Sequence, residues 1–316
     1  MIRGDIIEFV DEIPVSNRYS YQINLSKDDK LLVRKEIQNL LKKKIIVPTE
    51  PEEYEFISPI FPVPKSDGEI RIILNLKELN SYVKFFHFKM DTIKTVLLNV
   101  TRGCYMASVD LKHAYHSIKI DENYQSFLKF MYEGNLYQYT CYPNGLGPCP
   151  RKFTKIMKVP LSHLREMMCG IMGYIDDFFI FALTYLECAE NVQTAVDLFI
   201  KLGFFVHPIK SMFNPTTRII FLGFIIDSCL MTVTLTDEKK QKLQKLVDTM
   251  LSKNARYLFT IREVARVIGI IVSSLPGSLY GALYYRKIEN EKNKALVENY
   301  GNYEAKMTLS KTAKED

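Results

Sequence analysis

The chain has 316 residues, 47% of them hydrophobic and 25% charged, and its 42 Lys and Arg against 36 Asp and Glu give a formal net charge of +6. These proportions exclude a disordered or fibrous chain and leave enough apolar side chain for a sizeable core. The longest apolar runs, 178–183 and 267–272, fall far short of the roughly 20 residues that span a bilayer, so no membrane partner is expected.

The first residues carry Asp5, Glu8, Asp11 and Glu12 where a secretory leader is basic and then apolar, which points to the cytoplasm or nucleus. Cysteines 104, 141, 149, 169, 188 and 229 form no CxxC pair and read as free, mostly buried thiols.

In chain order, residues 1–25 show no clear period and read as a lead-in. Ser26 caps a helix over 26–44 with the stripe Val33, Ile37, Leu40 and Leu41. Prolines 48, 51, 59, 62 and 64 mark extended chain, and Ser66-Asp67-Gly68 predicts a turn between strands 60–65 and 69–74. A short strand over 106–110 ends in Asp110, and Glu133-Gly134-Asn135 joins strands 127–131 and 136–141. Phe153, Ile156, Met157, Leu161, Leu164 and Met168 space as a helix with a kink expected at Pro160. Leu186 to Leu202 is amphipathic and stops at Gly203. Strands are expected over 204–206, 219–227 and 231–235. Thr236 then caps a helix, Thr260-Ile261-Arg262-Glu263 opens another through Ser274, and the polar stretch after 289 is expected to be disordered.

The feature that asks for a chemical reason is Tyr174-Ile175-Asp176-Asp177, set between Ile171-Met172-Gly173 and Phe178-Phe179-Ile180-Phe181. An ionised carboxylate in apolar surroundings costs several kcal/mol unless it is paired or binds a metal. A hairpin would put both aspartates at its tip, where a divalent cation is the simplest way to hold them ionised together. Asp110 ends an apolar strand in the same manner. Hard oxygen ligands of this kind suit Mg²⁺, and two such ions about 4 Å apart would serve in-line phosphoryl displacement. A turn aspartate pair beside a chance helix cap is the competing reading, and the neighbouring motifs decide between them.

Those motifs run in order: 62–71 (PVPKSDGEIR), 74–80 (LNLKELN), 108–115 (SVDLKHAY), 142–150 (YPNGLGPCP), 174–177 (YIDD) and 221–224 (FLGF). Together they resemble the motif series of retroelement reverse transcriptases from about residue 45 to 286. LNLKELN with His87-Phe88-Lys89-Met90, and 273–276 (SSLP) followed by 280–286 (YGALYYR), look most like the DIRS-type elements, which integrate with a tyrosine recombinase. The 144–150 segment departs from the family's usual Phe-Gly-Leu-(Ser)-x-(Ala)-Pro pattern by an additional proline, which bears on nucleotide affinity and fidelity.

The resemblance implies an α+β right-hand polymerase whose antiparallel palm sheet is backed by helices. Fingers would occupy 26–90 and 117–148, palm 91–116 and 149–235, and a helical thumb 236–288, with 289–316 a polar tail. It implies two Mg²⁺, with Mn²⁺ as an alternative, on the catalytic Asp110, Asp176 and Asp177. Lys65, Arg71, Tyr115, Asn144, Gly145 and Lys210 would contact the nucleotide, Tyr115 by packing under the sugar and excluding a 2′-hydroxyl. Tyr174, Phe221, Leu222, Gly223, Lys239, Lys242, Arg262 and Arg266 would meet primer and template. Expected partners are an RNA template, a DNA primer, the RNA/DNA duplex and dNTPs, with a ribonuclease H and a recombinase encoded in the same element. The rival readings are an RNA-producing polymerase of the same hand, against which Tyr115 argues, and an inactive nucleic-acid-binding remnant.

Other chemistries find little support. The five histidines (87, 113, 116, 163 and 207) make no zinc spacing with the cysteines, and Ser126-x-x-Lys129 lacks companion motifs.

Overall fold

The computed structural model describes residues 4–11, 14, 25–64, 69–253, 257–278 and 280–315. The turn expected at Ser66-Asp67-Gly68, Lys65, and most of the stretch before residue 25 lie outside them. The chain divides into two compact units, the first made of Met1–Met90, Val109–Phe178 and Val192–Ser211, the second of Asp91–Ser108, Phe179–Asn191 and Met212–Asp316.

In the first unit the helix Lys27–Lys42 forms because Ser26 Oγ accepts from the Asp29 amide and Val33, Ile37 and Leu40 share one buried face. It packs on a two-stranded ribbon, Ile60–Pro64 paired antiparallel with Ile70–Leu74. A ribbon leaves both strands an outer edge, which is why prolines 62 and 64 are tolerated there. A three-stranded antiparallel sheet has the order Ile46–Pro48, Asn135–Tyr139, Lys129–Tyr132. Its hairpin turns on Glu133 and Gly134, both at positive φ (48° and 79°), the backbone a tight two-residue turn requires. Lys129, expected only as a strand residue, has a fully buried side chain held by Glu52 Oε1 and Glu55 Oε2, each at 2.8 Å, and by the Glu50 carbonyl. The helix Cys149–Glu166 runs on through Pro160 and packs on the strand Gly170–Tyr174.

The start of the chain is more than a lead-in. Ile7 is buried, Phe9 bridges to Val83, and Lys152 pairs with Asp5 and Glu8. Alternating charge had masked this anchoring.

A larger antiparallel sheet has the strand order Met212–Thr216, Tyr105–Lys112, Asp177–Ala182, Gly170–Tyr174, with Phe205–Val206 also on Tyr105–Lys112. Register ties Leu111 to Val206 in the first unit and Ser108 to Met212 in the second. The helix Tyr185–Lys201 buries Cys188, Val192, Ala195 and Phe199 and ends at Gly203, φ 87°.

The second unit also holds the sheet Arg218–Phe221, Phe224–Asp227, Thr232–Leu235. The single strand expected over 219–227 is in fact a hairpin, because Leu222 and Gly223 turn at φ 49° and 77°. Helices Asp237–Leu251 and Ile261–Ser274 start on Thr236 and on the Thr260/Glu263 capping box as their residues predict.

The disordered tail expected after 289 is overturned. Arg286–Glu298 is a helix, Lys306–Met307 pairs with Phe259–Thr260, and Met307, Leu309 and Ala313 enter one apolar cluster with Met250, Val264, Ile268 and Ile288. Few apolar residues sit between many charges, so the stretch looks solvated until the partner face is present. Of the cysteines, all free, five are buried and Cys229 is exposed. Among the described residues no helix is long and apolar enough to cross a membrane.

Candidate active site

Asp110 lies near the end of Tyr105–Lys112, where buried Val109 and Leu111 leave its side chain on the opposite, more open face. Its backbone is fixed on both sides: its amide donates to Ser211 Oγ at 3.0 Å and its carbonyl accepts from the His207 amide at 2.8 Å. The Leu111 amide donates to the Asp176 carbonyl at 2.9 Å, so the strand bearing Asp110 is tied to the turn that carries Asp176. Gly170–Tyr174 and Asp177–Ala182 are joined by the turn Ile175–Asp176. Ile175 takes φ 56°, a left-handed conformation costly for a β-branched residue, on the order of 1–3 kcal/mol.

The carboxylates resist one another. Burial, then the charges of Asp176 and Asp110 and a hydrogen bond with Asp110, push the Asp177 carboxyl up to about 6, while Lys210 draws it down. Burial and the Asp110 charge likewise raise Asp176, against its own backbone hydrogen bond and the charges of Lys210 and Arg71. Among the described residues no three His, Cys, Asp or Glu side chains converge tightly enough to enclose a metal ion by themselves. The donor set nevertheless fits a hard divalent cation: partly buried carboxylate oxygens whose repulsion such an ion would relieve.

The expected nucleotide contacts gather around these aspartates, apart from Lys65. Arg71, exposed on Ile70–Leu74, and Lys210 line with Asp110 and Asp176 a cavity of about 380 Å³. Tyr115, Asn144, Arg71 and Asp176 line an adjoining one of about 120 Å³. Tyr115 is half-buried, braced edge-on by Phe153 at 5.9 Å between ring centroids, and burial keeps its phenol protonated. His116 has its Nδ1 buried without a hydrogen-bond partner. Burial and then the neighbouring His113, Arg71 and Lys43 push its imidazole down to about 3.

Gly145 turns at φ 107°, and a Cβ there would lie 3.1 Å from the Leu74 carbonyl, so the loop presses on the ribbon only as glycine. Asn80 clamps it, donating to the Gly145 carbonyl at 2.9 Å and accepting from the Gly147 amide at 2.8 Å. The additional proline is absorbed without distortion: Pro148 is the N-cap and Pro150 lies in the first turn of Cys149–Glu166, where no backbone donor is needed. Asn80 and Ser211 were not singled out from sequence. Asn80 sits in a quoted motif, whereas Ser211 gives no signal at all.

The primer and template residues divide. Tyr174 ends its strand half-buried, close enough to Tyr115 to raise its phenol. In the second unit Phe221 is buried against Phe179 at 5.2 Å between ring centroids, which leaves only the Leu222-Gly223 turn at the surface. Lys239 is committed inside the unit, its ammonium 3.9 Å above the Phe224 ring and donating to the Ser273 carbonyl at 3.1 Å. Arg262 pairs with Glu304. Lys242 and Arg266 are exposed.

Comparison with known proteins agrees with this geometry. The family model for reverse transcriptase (RNA-dependent DNA polymerase) matches residues 63–226. The Transposon Tf2-3 polyprotein of Schizosaccharomyces pombe is 24% identical over 168 residues, 53% of this chain and 12% of that protein. The Pro-Pol polyprotein of simian foamy virus type 1 is 25% identical over 230 residues, 73% of this chain and 19% of that protein. The chain thus spans under a fifth of these relatives. A foamy viral protease-reverse transcriptase in complex with double-stranded DNA superposes with TM-score 0.70 at 21% identity, covering 97% of this chain and 50% of that one. The same enzyme with an RNA/DNA hybrid gives 0.68 at 21% identity, over 97% and 37%. The fold is therefore the α+β polymerase fold, and with more than half of its length matched by the family model this chain belongs to the reverse transcriptase (RNA-dependent DNA polymerase) family.

Proposed function

We propose that the chain is an RNA-directed DNA polymerase, a nucleotidyltransferase that extends a primer 3′-hydroxyl with deoxynucleotides as part of a retrotransposon. The observation that carries this is the backbone tie between the strand bearing Asp110 and the turn bearing Asp176, with Asp177 next to it raised by burial and by both carboxylates. Asp110, Asp176 and Asp177 would hold two Mg²⁺, which when bound activate the attacking hydroxyl and steady the leaving oxygen. Arg71 and Lys210 neutralise the triphosphate, and Lys65 would add to this from the ribbon turn. Tyr115, braced by Phe153, packs under the sugar and leaves no room for a 2′-hydroxyl, which favours DNA over RNA as product. Asn144 and Gly145, clamped by Asn80, bear on the base and its template partner.

The substrates follow from the relatives, one of which has been seen with an RNA/DNA hybrid: an RNA template, a DNA primer and dNTPs. The ribbon and three-stranded sheet serve as fingers, the larger sheet as palm and the helices after Thr236 as thumb. The motif variants at 74–80, 87–90, 273–276 and 280–286 support a DIRS-type element, which would encode a ribonuclease H and a recombinase as well.

Primer extension on an RNA template with Mg²⁺ tests the reading. The natural chain should incorporate dNTPs and discriminate against ribonucleotides, and Asp176→Asn should reduce the rate by roughly 10³-fold or more. Absence of extension by the natural chain would sink the activity; equal extension by both would sink the assignment of Asp176.

A further inference from the structure

The larger of the two cavities beside the aspartates has a wall that the expected site did not include. It comes from the end of the helix Lys27–Lys42, outside the stretch matched by the family model. Asn39 and Lys43 line the cavity together with Arg71, Lys112, His113, Lys210, Asp110 and Asp176. Lys43 is the helix C-cap, and its Nζ lies 3.3 Å from His113 Nε2. An ammonium has no lone pair, so the imidazole nitrogen accepts and holds it. His113 itself sits at φ 57°, in the left-handed region directly after Tyr105–Lys112, and lines the cavity.

The charge count gives this wall a purpose. With Asp110 and Asp176 given over to metal ions, the remaining charged lining is Lys43, Arg71, Lys112 and Lys210 against Glu69. A polyanion is the ligand such a lining selects, and a cavity of about 380 Å³ is roomy for a single phosphate. His116, held neutral first by burial and then by the neighbouring His113, Arg71 and Lys43, lies beside the same cluster inside the fold.

We infer that Lys43, positioned by His113, binds the phosphate tail of the incoming nucleoside triphosphate in the cavity that Lys210 and Arg71 also line. The inference rests on the polymerase reading for the identity of the ligand, but the cation wall itself does not depend on catalysis. Lys43 touches the phosphates; His113 acts through Lys43.

Steady-state extension with the full chain at saturating primer and template separates the roles. Lys43→Ala should raise the dNTP KM roughly tenfold, the worth of one charge-assisted hydrogen bond, with kcat and primer–template affinity within about twofold. Lys43→Arg should recover most of the loss. His113→Ala should raise KM by about threefold, and His113→Gln, whose amide oxygen also accepts from an ammonium, should restore it. Inorganic tripolyphosphate, a probe without base or sugar, should bind Lys43→Ala about tenfold more weakly in calorimetry. Unchanged KM and tripolyphosphate binding would overturn the inference, as would a loss confined to primer–template affinity. If the natural chain extends no primer, the polymerase reading fails on its own, and the tripolyphosphate titration still decides whether Lys43 binds phosphate.

Discussion

At Asp177 the fold opposes ionisation. Its carboxyl is raised from an ordinary 3.8 to about 6 by burial and by Asp176 and Asp110, so the folded chain holds that proton more tightly than the unfolded one. The sign follows: folding is favoured below pH 4, and stability falls as pH rises from about 4 to about 6, by on the order of 1 kcal/mol once solvent screening is allowed for. In EDTA, Asp177→Asn should therefore match the natural chain below pH 4 and melt higher above pH 6. A constant gap at every pH would assign the effect to packing instead. Asp110 is held differently, through its backbone, by Ser211 and His207. The backbone conformation at Asp110 is thus set by bonds that do not involve its carboxylate, which lets the fold tolerate repulsion among the three carboxylates.

Among the elements, two-residue turns decide most of the geometry. Glu133-Gly134 and Leu222-Gly223 take paired positive φ values and were legible, wholly or in part, from their glycines. Ile175 has no such signature, and only the register of its two strands holds it left-handed. The final elements show the opposite failure. Arg286–Glu298 and the residues after it looked solvated because a helix with few apolar positions is marginal alone and gains its stability from the face it covers. Leu309 is buried in that cluster, so Leu309→Ala should cost about 2–4 kcal/mol in urea unfolding. Unaltered stability would mean that the segment is not part of the fold.

Over the whole molecule the excess positive charge is unevenly spread: residues 236–316 carry 15 Lys and Arg against 10 Asp and Glu. Sequence alone makes all of them equivalent candidates for a nucleic-acid backbone, but the structure sorts them. Lys239 and Arg262 are engaged within the second unit, whereas Lys242 is exposed on Asp237–Leu251. If this face meets a duplex, Lys242→Gln should lower the slope of log affinity against log salt by about 0.9. Lys239→Gln should instead lower the melting temperature and leave the slope unchanged, as measured by primer–template binding at several salt concentrations. Equal slopes for Lys242→Gln and the natural chain would remove this face from the binding surface.

The residues themselves determined the chemistry: carboxylates stranded in apolar runs, a ribbon bearing cations, glycines at tight turns and capping residues at helix starts are local statements, and local physics is written in neighbouring side chains. Asp110, Asp176 and Asp177 could be singled out for that reason, whereas Arg71 and Tyr115 entered through the resemblance carried by the ordered motifs. The tertiary structure alone decided which charges are free and which are engaged, that Ser211 and Asn80 hold the site's backbone, that Lys43 joins it, and that the polar end of the chain is ordered. Each of these depends on partners 34 to 101 residues away in sequence or on a buried face supplied by another element. Such pairings carry no local periodicity, and they exist only once the chain has closed on itself.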